Sequence, residues 1–183
     1  MNNFTIKQAK KSIYFCNSYN RLEAIFNLYG RMRFSSWLRV LGENWTICDN
    51  ISQFSMELRM ALDGSGTIYE LMTRTERRRF DQLPDVVTIY RGCGEHNQDG
   101  LSWSLDKAVA EKFPFMMRYQ AKHPLLVTAT VEKEDIIALK TGASESEVIT
   151  LHPNAVSVVK LLGASAPVKK IDFEHSTQER ETR

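Results

Sequence analysis

The chain has 183 residues, of which 43% are hydrophobic and 25% charged, with 24 Lys and Arg against 22 Asp and Glu. That length and composition suit one globular domain with its own core, and they exclude disordered, collagenous and fibrous classes. The charge balance supports neither a dedicated nucleic-acid binder nor a polybasic membrane anchor.

Cys16, Cys48 and Cys93 are widely separated and odd in number, so they form no disulfide framework, and a reducing compartment is expected. The polar, basic stretch from Met1 to Lys11 precedes no apolar run of signal-peptide length. No run of about 18 apolar residues occurs either. The expectation is a cytoplasmic protein without membrane contact.

The first 83 residues read as helical. Leu22, Ile25, Phe26 and Tyr29 fall on one face of a helix, with Asn17 or Ser18 as its cap. A second helix with Ser35 as cap carries Trp37, Leu38, Leu41 and Trp45, whose aromatic rings read as core packing. A third follows Asp49, with Ile51, Phe54, Leu58 and Leu62 on one stripe, until Asp63-Gly64-Ser65-Gly66 breaks it. Thr73 and Glu76 have the spacing of a capping box that opens a helix ending before Pro84. Residues 1–83 carry twelve basic and eight acidic side chains, with Arg77, Arg78 and Arg79 as the densest group. They read as a solvated helix face or as a contact for an acidic partner.

At Val86 the period changes from helical to alternating. Val86 to Tyr90, Leu125 to Val131, Ile136 to Leu139, Val148 to Leu151 and Val156 to Leu161 read as strands. One helix over residues 105–119, bent at Pro114, separates the first two. The fold class expected is α+β. A helical segment (1–83) packs on a catalytic core (84–163), followed by a partly flexible tail (164–183).

Three polar clusters in the core can carry chemistry. Arg91 at a strand end, followed by Gly92-Cys93-Gly94, can fork onto a phosphate or carboxylate while the glycines admit a ligand to the backbone. Ser102-Trp103-Ser104 leads into the helix with Phe113, and Ser104 can cap it. Glu145-Ser146-Glu147 places two carboxylates on one side of an extended segment. Cys93-x-x-His96 has no matching second pair, so no metal is expected.

In this order the clusters resemble the Arg–Ser–Glu signature of mono-ADP-ribosyltransferases. That pattern is an aromatic-Arg on a first strand, a Ser-Thr-Ser-like strand before a helix with a downstream Phe, and a Glu-x-Glu. The resemblance covers about Val86 to Leu162, with Trp103 replacing the middle Thr and only 56 residues from Arg91 to Glu147. It implies an N-terminal helical segment and a split mixed or antiparallel sheet. NAD would be the substrate, and ADP-ribose would pass to a protein side chain, arginine first, with release of nicotinamide.

By the resemblance, Arg91 with Gly92 would hold the pyrophosphate or the nicotinamide-side phosphate, and Ser102, with Ser104 on the same strand, the nicotinamide ribose. Phe113 or Trp103 would pack on a flat ring. Glu147 would stabilise an oxocarbenium-like state, and Glu145 would orient or deprotonate the acceptor. The partner implied is a host or cellular acceptor protein, as for a phage or bacterial effector, and not a nucleic acid, since residues 84–163 carry eight basic against ten acidic side chains. The alternatives are a catalytically silent interaction or inhibitor protein of the same fold, and an NAD glycohydrolase.

Overall fold

The computed structural model describes residues 4–49, 51–117, 119–142 and 145–161. Among these, the chain forms six α-helices and one six-stranded antiparallel sheet, an α+β protein. The expected tail (164–183) lies outside the described residues.

Helix α1 (Ile6–Ile13) falls in the stretch read as helical, although no element was assigned to the basic N-terminus. A capping box between Thr5 and Gln8 starts it, and only Ala9 and Ile13 are buried. Helix α2 (Arg21–Phe26) ends sooner than its apolar stripe predicts: Leu22 and Ile25 are buried, whereas Tyr29 lies half-exposed in the turn that Gly30 closes at φ 71°. Asn17 accepts from Tyr19 N and Asn20 N in the preceding turn rather than capping α2 directly. Helix α3 (Phe34–Asn44) starts before Ser35, which is therefore inside it, and no side chain caps its N-terminus. Trp37, Leu38 and Leu41 are buried as expected, and Trp45 falls in a 3-10 turn that continues α3.

Helix α4 (Ser55–Leu62) buries Leu58 and Leu62, and Gly64 and Gly66 take positive φ where the pattern breaks. Helix α5 (Arg74–Asp81) has the predicted Thr73–Glu76 box. Arg77 is no solvated charge: its Nε donates to the Tyr69 and Met72 carbonyls at 2.9 and 3.2 Å, and its guanidinium lies over the Tyr69 ring. Arg78 and Arg79 are exposed.

The strands are β1 (Val86–Cys93), β2 (Ser102–Ser104), β3 (Leu125–Glu132), β4 (Ile136–Thr141), β5 (Ser146–Thr150) and β6 (Asn154–Lys160), in the order β4-β5-β2-β1-β3-β6. Val87, Ile89 and Cys93 of β1 pair with Val131, Ala129 and Leu125 of β3, all buried on the face that meets the core. Strand β1 runs three residues beyond its predicted end, so Arg91 and Gly92 lie inside it.

The helix expected over 105–119 is shorter. Helix α6 (Lys107–Lys112) gives way to a 3-10 turn at Phe113–Phe115. Pro114 lacks the N–H that a further α turn would require.

The sheet is one hydrogen-bonded array rather than two. The expected split is not found, and the sheet is only pinched where β1 pairs with β2 at Tyr90↔Ser104 alone, while β1 and β3 pair at eight positions. Helices and sheet share a continuous apolar core from Ala9 to Leu151. A buried ion pair ties them: Lys140 Nζ of β4 lies 2.9 Å from Glu76 Oε2 of α5. At Gly42, α3 approaches Leu71 so closely that an added Cβ would collide with its carbonyl.

Candidate active site

The pinch between β1 and β2 opens onto a cleft of about 670 Å³. Arg91, Gly92, Ser102, Trp103, Ser104, Phe113, Glu145 and Glu147 all line it. Sequence positions up to 56 residues apart therefore meet in one place, because Tyr90 pairs with Ser104 and Ser104 with Glu147 across three adjacent strands. Tyr90, Ser104 and Glu147 are the residues in register, and Arg91, next to Tyr90, reaches the same cleft through its guanidinium, which is bound to Ser102 O.

Glu147 is the most enclosed acid of the group. Its Oε1 accepts a hydrogen bond of 2.8 Å from Trp45 Nε1. Burial pushes its carboxyl above the ordinary value of 4.5; neighbouring Ser102 and the Trp45 N–H pull it back, the Glu145 charge raises it, and Arg91 lowers it. Ser102 Oγ is buried beside the Glu147 carboxylate, which it helps to hold down, without a hydrogen bond of good geometry. Glu145, half-buried, precedes β5 in the same cleft.

Arg91 is fixed by three bonds: Nη1 donates to Ser102 O (2.6 Å), Nε to Asn97 O (2.9 Å) and Nη2 to Asn97 Oδ1 (2.6 Å). A guanidinium has five N–H groups, so two remain for a ligand. Burial pulls its pKa down, against the opposing influence of the Cys93, Glu147 and Asp99 charges. A side chain at Gly100 would collide with this guanidinium. Arg59 of α4 braces the same loop by donating to Asp99 O and Leu151 O.

Several expected roles are corrected. The missing side chain at Gly92 has a packing reason, since a Cβ there would meet the Ala110 carbonyl of α6 and the Pro114 ring. Ser104 is not the helix cap. Asp106 accepts from Ala108 N and Val109 N, and Ser104 Oγ accepts from Asp106 N at 3.0 Å. Trp103 is 2% exposed, with its N–H on Gly100 O, so its ring offers no face for stacking. Phe113 remains half-exposed beside Tyr119, whose hydroxyl reaches Asp49 from the opposite wall.

Trp45 and Asn97 were missed as site residues by sequence reasoning. Each Trp needs a partner for its buried N–H. Trp37 and Trp103 find carbonyls, whereas Trp45 finds a carboxylate 102 residues away. Nothing local in the sequence marks that difference.

Cys48 and Cys93 also line the cleft. Burial pushes the Cys48 thiol to about 11 and raises that of Cys93, so neither supplies a thiolate nucleophile at neutral pH. Among the described residues, no three His, Cys, Asp or Glu side chains are grouped to hold a metal, and no helix is long and apolar enough to cross a membrane.

Compared with known proteins, the chain matches no family model, no curated protein and no solved structure.

Proposed function

We propose that this cleft binds NAD and transfers its ADP-ribose to a side chain of a target protein, arginine first. The observation that carries this reading is the convergence of Arg91, Ser102 and Glu147 in one cleft, with Glu147 held by a neutral donor in a partly dry setting. The cleft volume falls in the range of about 300–1,000 Å³ usual for small-molecule sites. The two unused N–H groups of Arg91 suit a phosphate.

In the reaction, the bond from ribose C1′ to the nicotinamide nitrogen breaks and nicotinamide leaves with the electron pair. The carboxylate of Glu147 stabilises the positive charge that develops on the sugar, the electrostatic logic of glycoside cleavage. The acceptor nitrogen then forms a bond to C1′ and gives up a proton, for which Glu145 is the nearby base. The cost of keeping an ionised Glu147 partly buried is offset where the cation forms.

The test is incubation of the protein and its Glu147→Gln variant with labelled NAD and cell lysate, following nicotinamide and label on protein. Release and labelling that both depend on Glu147 are expected. Nicotinamide release without labelled protein would indicate a glycohydrolase. Neither product from folded wild-type protein would leave a catalytically silent binding protein and defeat the proposal.

A further inference from the structure

The geometry points to Trp45 as a positioning residue for Glu147, so that the helical part of the chain supplies a group to the reaction centre. This inference rests on the chemistry proposed for that carboxylate.

Trp45 is 1% exposed, and its indole N–H is aimed at Glu147 Oε1 from the end of α3. With Oε1 held by Trp45, and Ser102 beside the same carboxylate, Glu147 is fixed in the cleft before any ligand arrives. Other charged groups around the carboxylate are engaged elsewhere. Arg91 of β1 is bound to Ser102 O and Asn97. Lys140, the register partner of Glu147 on β4, is bound to Glu76 and to Leu71 O. Glu145 offers only like charge. Asp49 follows the Trp45 turn, and its carboxylate takes the Tyr119 hydroxyl.

Trp45 is itself anchored. The preceding Asn44 donates to Val40 O, accepts from Arg21 Nη1, and takes the Cys48 thiol on its carbonyl. A neutral donor has a specific advantage here. It orients the carboxylate without cancelling the negative charge that must face a developing cation, as a Lys or Arg at the same place would.

The experiment is Trp45→Phe, which keeps an aromatic ring and removes the N–H. Its kcat for nicotinamide release is expected to fall about 10- to 100-fold, the worth of a hydrogen bond to a charged group. The KM for NAD should hardly change, and the acid limb of the pH–rate profile should move to higher pH. Trp45→His, which retains a ring N–H, should recover part of the rate. An unchanged kcat and pH profile in Trp45→Phe would overturn the inference.

A second readout does not depend on turnover. One indole N–H resonance of the wild-type protein should follow the titration of Glu147 and become insensitive in Glu147→Gln. No such resonance overturns the inference even if Trp45→Phe fails to fold. A titrating resonance in a wild-type protein without NAD turnover would instead refute the proposed function and, with it, the catalytic role given to Trp45.

Discussion

Lys140→Met tests whether the helices and the sheet are held together by charge. Lys140 Nζ donates to Leu71 O (2.8 Å) and to Glu76 Oε2 (2.9 Å), and both ionic side chains are about 95% buried, at 4% and 5% exposure. Glu76 also accepts from Thr73 N (2.7 Å) and Thr141 N (2.9 Å), so removing the cation leaves an anion with only neutral donors and orphans the Leu71 carbonyl. Breaking one side of such a pair costs about 3–5 kcal/mol. At about 2–4 °C per kcal/mol for a chain of this size, Tm should fall by about 6–20 °C.

The assay is thermal and urea unfolding at neutral pH, with Glu76→Gln and the double variant completing a cycle. The double variant should recover much of the loss, because removing both charges of a buried pair is often close to neutral. A single-variant cost below about 1 kcal/mol, or additive losses, would refute the reasoning. The pH dependence has a definite sign. Burial acts to raise the Glu76 carboxyl, but Lys140 and the backbone N–H groups outweigh it and hold it below 4.5. The stabilisation is therefore present above the ordinary carboxylate value and is lost as pH falls through the lower folded value. Lys140→Met should shift that loss to higher pH.

Glu147 should behave in the opposite sense. Its folded value is raised, so its ionisation lowers stability as pH rises from 4.5 through that value. Glu147→Gln should melt at or above the wild-type Tm at pH 7, with the gap closing below pH 4.5; a clearly lower Tm at pH 7 would contradict this. Gly92→Ala forces a methyl against the Ala110 carbonyl and should cost about 1–3 kcal/mol in urea unfolding. Gly100→Ala displaces the Arg91 guanidinium and, if the cleft takes NAD as proposed, should weaken that binding by about tenfold or more in titration calorimetry. Unchanged stability in the first or unchanged binding in the second would count against these contacts.

Local chemistry was legible in the sequence where it acts locally. The Thr73–Glu76 box, the break at Gly64 and Gly66, and the alternation of Leu125 to Val131 were readable because each depends on neighbours within a few residues. The three polar clusters could be marked, and the register that joins them comes from strand pairing. Other features escaped because competing groups decide them. Asp106 outcompetes Ser104 for the first turn of α6, and Pro114 ends the helix that the apolar spacing would extend. Helix α1 shows its stripe only in Ile6, Ala9 and Ile13, and the lysines between them make it read as a polar terminus. Glu76 was readable as a cap residue, but its partner Lys140 is 64 positions away.

The single pair between β1 and β2 has a mechanical consequence. Shear and bending in a sheet are resisted by its rungs, and here one rung joins two half-sheets. Arg91 stands on one half, while Ser102, Ser104 and Glu147 stand on the other. The bond from Arg91 Nη1 to Ser102 O therefore acts as a rivet across the seam. An anion that drew the guanidinium toward itself would load that rivet, and the strain would fall on the narrowest join of the sheet.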